Sequence, residues 1–172
     1  VGDRIAFVAT SDQGPILVVV GIPDGKTETI TLLESITPAQ HQADQLSPES
    51  FAYYAITDYD NVTWQPGEGR LLAFIGAQNG PTADLYIYDT LTTEIKQLTD
   101  GPSQALYPNW SPDGQYILQF GGSWVPPFGG ALVGYNRLDG AWAVRVADGT
   151  VITQPMPKGS HRNFVGWQDD SH

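Results

Sequence analysis

The sequence predicts an all-β protein assembled from repeated four-stranded antiparallel sheets. Three observations predict it. The 19 Gly and 13 Pro of the 172 residues are scattered, so they punctuate many short elements instead of forming a collagen-like or linker stretch. The stretch 84–119 reads as strand, turn, strand, Gly-Pro loop, a strand ending in Trp110, a Ser-Pro-Asp-Gly turn and a further strand. A unit of Trp, turn and strand recurs along the chain.

Within Ser111-Pro112-Asp113-Gly114, Pro presets φ for the second turn position, Asp bonds the local backbone, and Gly takes the left-handed position that closes a hairpin. Trp110 just before it has up to about 250 Å² to bury, which makes it an anchor of one sheet against the next. Trp64-Gln65-Pro66-Gly67 precedes LLAFIGA in the same way, and Trp167-Gln168-Asp169-Asp170 is a third copy. The spacings, 46 residues from Trp64 to Trp110 and 57 from Trp110 to Trp167, approach the ~40–45 residues of a WD-type propeller blade plus one insertion. A fainter copy lies at Leu46-Ser47-Pro48-Glu49-Ser50 before FAYYAIT, read as a truncated blade or an inserted hairpin. The other reading is a helix over 37–46, with Thr37 as its cap and Pro38 in first position.

The ends predict how the sheets close. Residues 3–9 match the strand that follows the Trp turn, and 163–169 match the strand that ends in it. The chain thus opens with a second strand and closes with a first, as in a β-propeller whose last strand completes its first blade. The expected division is a single propeller segment over 1–172. Its blade 1 is 1–33 plus 161–170, an irregular insertion or rudimentary blade covers 34–60, blade 2 is 61–99, and blade 3 is 100–160 with a loop insertion at 121–140. WSPDGQYILQF, DLYIYD and EIKQLTDGPS resemble the repeat of TolB-like propellers, a WD-like family, with the resemblance strongest over 61–120. The resemblance implies six-bladed rings and a place outside the cytoplasm, periplasmic or at the cell surface. About three blades are legible here, fewer than the 4–8 of closed rings, so the ring is expected to be partial or completed by another copy or segment. The start at Val1, without Met or signal pattern, reads as a processed protein or a piece of a longer one.

Composition narrows function by exclusion. A net charge of −11 repels phosphate backbones and anionic membranes, so nucleic acid is not an expected partner. The longest apolar runs, 16–20 and 71–75, fall far short of the ~20 residues of a membrane helix, so no direct insertion is expected. With no Cys there is no disulfide framework, thiolate metal site or cysteine nucleophile. There is no G-x-S-x-G elbow and no Gly-rich phosphate loop opening a helix. His41, His161 and His172 lack metal-ligand spacing and read as solvated loop residues. Asp58 and Asp60 are weak metal or carboxylate-pair candidates beside the turn reading of Asp58-Tyr59-Asp60-Asn61, and Asn61-Val62-Thr63 is a glycosylation sequon. No cofactor is expected.

Propeller geometry places the two long segments, 34–60 and 121–140, on one face. They carry Tyr53, Tyr54, Tyr59, Trp124, Phe128, Tyr135 and Arg137, with Asn136 alongside, residue types of recognition surfaces, although the same aromatics serve equally to pack the insertions. The leading expectation is a non-catalytic extracytoplasmic protein-binding or scaffold module. The alternatives are an accessory propeller of a larger hydrolase of the prolyl-oligopeptidase type, and a sensor ectodomain of a membrane receptor. Open propeller edges call for a protein partner or homo-oligomer.

Overall fold

The computed structural model describes residues 3–34, 36–44, 48–57, 61–67, 69–125, 135–155 and 167–168. Three antiparallel sheets follow one another along the chain. The first holds β1 (Arg4–Ser11), β2 (Gly14–Gly21) and β3 (Thr27–Thr31) in that order. Two short helices come next, α1 (Pro38–Ala43) and α2 (Pro48–Thr57). The second sheet is the meander β4 (Val62–Trp64), β5 (Leu71–Gly76), β6 (Asp84–Asp89) and β7 (Ile95–Gln97). The third is β8 (Gln104–Trp110), β9 (Tyr116–Val125), β10 (Tyr135–Arg145) and β11 (Val151–Pro155).

The last hairpin of every sheet closes in the same way. The N–H of Gly21, Asp89 and Arg145 donates to the carbonyl of Lys26, Glu94 and Thr150 at 2.9, 2.9 and 2.8 Å. Each turn then passes through a left-handed residue four positions on: Gly25 (φ 66°), Thr93 (φ 62°) and Gly149 (φ 74°). This equivalence aligns β2–β3 with β6–β7 and β10–β11. It makes β1 the counterpart of β5 and β9, so the first sheet begins at what is the second strand of the others. The strand expected to complete it from 161–170 lies outside the described residues, apart from Trp167 and Gln168.

Trp64 and Trp110 occupy matching places. Each ends the first strand of its sheet, and the next residue's N–H closes the hairpin at 2.9 Å: Gln65 to Leu71 O, Ser111 to Tyr116 O. Trp110 is buried, and its Nε1 crosses to donate to Thr63 O at 3.0 Å. The turn after it is built as its composition demands. Ser111 Oγ meets Asp113 Oδ1 at 2.6 Å, Asp113 Oδ1 accepts from Gln115 N at 3.0 Å, and Gly114 sits at φ 67°.

The middle sheet is covered on both faces, which is why β5 reads as an unbroken apolar run, LLAFIG. On one side lie Leu72, Phe74, Tyr86 and Tyr88, and Tyr88 Oη donates to the Glu28 carboxylate of the first sheet. On the other lie Ala73, Ile75, Leu85 and Ile87, and from that side Lys96 Nζ donates to Val146 O and Ala147 O at 3.2 and 3.0 Å. The outer sheets keep one face uncovered. Ile5 and Phe7 on β1 are 49% and 46% exposed, and Tyr107 and Ile152 are exposed on the third sheet.

Two expectations are corrected. FAYYAIT is not a strand after a faint turn copy: it belongs to α2, because Ala52, Ala55 and Ile56 recur at helical spacing and all three are buried against the sheets. The alternative helix reading holds for α1, where Thr37 and Gln40 form a reciprocal capping box and Pro38 opens the helix. Segment 121–140 is not a loop insertion over its whole length. β9 runs to Val125 and β10 begins at Tyr135, paired from Tyr135↔Val125 to Gly140↔Gly121 with a bulge at Leu138/Gly140. Gly121 makes this pairing possible, because the Trp142 ring lies where a side chain would be: a Cβ there would sit 1.9 Å from Cζ3.

Candidate binding cleft between the second and third sheets

Antiparallel connectivity sends the 77–83 turn and the 98–103 connection to one edge, the edge that also carries α1 and α2. There the second and third sheets part to leave a cleft of about 270 Å³. Its inner wall is stitched by Asp84, which opens β6 and is only 2% exposed. Asp84 Oδ1 accepts from Thr99 Oγ1 at 3.0 Å and Gly101 N at 3.3 Å, and Oδ2 accepts from Thr82 Oγ1 at 3.3 Å. Thr99 Oγ1 in turn accepts from Leu85 N at 2.9 Å, and Gln104 Oε1 from Ala83 N at 2.6 Å. These bonds fix the chain path from one sheet to the next.

Loss of water around Asp84 pushes its pKa up to about 6; the three donors oppose this, and the negative charge of Asp100 adds to it. The floor is Gln119, 6% exposed, on the inward set of β9 with Ile117 and Gly121. Its Oε1 is buried, and no donor among the described residues reaches it. Trp142, Leu98 and Val151 supply apolar walls, and Asp100, Pro102 and Ser103 form the rim. Among the described residues no Lys, Arg or His lines the cleft. It presents two carboxylates, hydroxyl and amide groups and apolar surface, a binding chemistry.

The residues singled out from the sequence fall elsewhere. Tyr53 stacks on His41 with ring centroids 4.1 Å apart, and Tyr54 meets the same ring edge-on at 4.7 Å. His41 is therefore a buried member of the helical insertion and not a solvated loop residue. Trp124, Tyr135 and Arg137 stand in the paired strands β9 and β10, Trp124 opposite Asn136 and Arg137 opposite Ser123. Asp58, Tyr59, Asp60 and Phe128 lie outside the described residues. Asn61 is buried with its Nδ2 donating to Ala55 O and Ile56 O in the last turn of α2 at 2.5 and 2.9 Å, so it offers no free amide for glycosylation. Among the described residues no group of three or more His, Asp or Glu is placed to hold a metal ion. None is a helix long and apolar enough to cross a membrane.

Asp84, Gln119 and Trp142 were not picked out by sequence reasoning. The available signal was a polar residue in a buried alternation: Gln119 shares its face with Ile117 and Gly121, both buried.

No family model matches the chain. It is 33% identical over 117 residues to a protein of Bacillus subtilis (strain 168) named uncharacterized peptidase YuxL, covering 53% of this chain and 18% of that protein. Among solved structures it is similar to the acylaminoacyl peptidase of Pyrococcus horikoshii, with a TM-score of 0.61, 15% identity, and 95% of this chain on 25% of that one. It is also similar to TolB from Acinetobacter baumannii, with a TM-score of 0.54, 17% identity, and 90% of this chain on 30% of that one. The chain thus spans less than a fifth of the curated relative it matches, and 25% and 30% of these two solved chains.

Proposed function

We propose that these sheets, which have the TolB-like β-propeller fold, form a non-catalytic recognition module that serves a peptidase, holding or admitting peptide chains while the chemistry is done elsewhere. The observation that carries this reading is the 33% identity to a protein named as a peptidase. The cleft supports it, since it offers hydrogen-bonding groups and apolar walls suited to holding a chain. The accessory-propeller alternative thereby moves ahead of the scaffold. The deciding experiment has two parts. The purified chain is assayed on acetylated and unblocked peptide anilides, where no turnover is expected, and the reading frame downstream of the His172 codon is sequenced for a G-x-S-x-G elbow. Turnover by the chain itself would overturn the non-catalytic half. A frame and neighbouring genes without any hydrolase would overturn the peptidase half.

The scaffold reading, an extracytoplasmic protein-binding module, keeps the support of the likeness to TolB. In either reading the uncovered faces around Ile5 and Phe7 on the first sheet, and Tyr107 and Ile152 on the third, are where a second copy or further blades would pack.

A further inference from the structure

We propose that the cleft between the second and third sheets is a recognition pocket for a cationic head on an apolar stem, the chemistry of a basic side chain. Three observations meet there. First, the charged groups that line it are of one sign, with the Asp84 carboxylate inside and Asp100 at the rim, the Gln119 amide lies beside them, and no basic residue among the described lining offsets them. Second, Gln119 Oε1 is buried with no donor among the described residues, and the residue is only 6% exposed. A buried acceptor of this kind is unfavourable unless something donates to it. Third, Leu98, Val151 and Trp142 make the walls apolar, which suits methylene groups leading to a charged end.

Size sets the class of ligand. At about 270 Å³ the cleft lies just below the ~300–1,000 Å³ of ordinary small-ligand pockets, so it fits one side chain or a compact amine better than an extended molecule. The chain's net charge of −11 draws cations toward it from a distance. A cation seated beside Asp84 would also favour its ionised form and reverse the effect of burial. The inference stands on the cleft alone and is independent of the peptidase reading: binding without any peptidase partner would uphold it.

The test uses the full chain labelled with ¹⁵N and follows the Gln119 side-chain amide and the Trp142 indole N–H by NMR. The probes are N-acetyl-arginine methylamide, its neutral citrulline isostere and its norleucine analogue, with free arginine and an Ala-Arg-Ala peptide to separate a free amino acid from a peptide as the source. The expected result is a saturable shift of both signals with the arginine probe, at least about tenfold weaker for citrulline and norleucine, since a charge-assisted bond in a dry site is worth that much. Gln119→Met, which removes the acceptor at nearly constant volume, should weaken the arginine probe about fivefold or more and leave norleucine unchanged; Asp84→Asn should act in the same direction. Equal binding of arginine, citrulline and norleucine would overturn the proposal. So would the absence of any saturable shift at tens of millimolar, which would leave the Gln119 oxygen to a buried water.

Discussion

Asp84 gives a stability prediction whose sign is opposite to that of most carboxylates. Its pKa stands at about 6 in the folded chain against 3.8 for an ordinary aspartate, because burial penalises the charge more than Thr99, Gly101 and Thr82 stabilise it. Below pH 3.8 the carboxyl is neutral folded or unfolded, and it contributes nothing to the pH dependence. Between 3.8 and 6 the unfolded chain releases the proton while the folded chain keeps it, so this group lowers stability as pH rises. Above pH 6 the penalty is complete, and two pH units at 1.36 kcal/mol each set it at about 3 kcal/mol as an upper bound. Asp84→Asn removes the charge and keeps the shape. Its carbonyl can still accept from Thr99 and Gly101, and its amide can donate to Thr82. Urea unfolding at pH 4, 5, 6, 7 and 8 should show the variant gaining on the native chain by about 2–3 kcal/mol between pH 4 and pH 8, with most of the gain between pH 4 and 6.5. A gap that stayed constant with pH, or that widened as pH fell, would refute the account of Asp84 as a desolvated acid.

Three further outcomes are expected. Trp110→Ala empties a buried indole site and leaves Thr63 O without its donor, and should cost about 3–5 kcal/mol in chemical denaturation; Trp110→Phe should cost less, and Trp64→Ala less than Trp110→Ala because Trp64 is only half-buried. Thr93→Gly relieves a left-handed backbone that the equivalent turns fill with Gly25 and Gly149, and should raise stability by about 1 kcal/mol in thermal melts, while Gly149→Thr should lower it by a similar amount. In static light scattering the chain should exceed its 18.7 kDa mass in a concentration-dependent way, and Phe7→Asp on the uncovered face of β1 should shift it toward monomer; a monodisperse monomer that the substitution leaves unchanged would count against association through that face.

The blades were legible in the sequence because their punctuation is chemical. Ser111-Pro112-Asp113-Gly114 admits few backbone paths, and a Trp ahead of such a turn marks the end of a sheet's first strand. FAYYAIT was harder, since seven mostly apolar residues satisfy a strand or a helix equally, and only packing decided: Ala52 and Ala55 let α2 lie close on β2, β5 and β8. The Gly pairs in 121–140 read as loop because glycine usually breaks strands, whereas here Gly121 leaves room for the ring of Trp142, a residue 21 positions later. The cleft is invisible in one dimension for a related reason. Asp84, Gln119 and Trp142 belong to three strands of two sheets, and nothing local in the sequence records that they share a space.

The double covering of the middle sheet bears on how this chain comes apart. Strand pairing among the described residues lies mostly within each sheet, with the Leu33–Ala77 bridge tying the first sheet to the second, so stability accumulates sheet by sheet along one direction, as in repeat proteins. The outer sheets can fray from their free sides while β5 and β6 stay protected between them. Amide exchange should accordingly be slowest at Ala73, Phe74 and Ile75, and a breach of the whole structure should begin in the outer sheets.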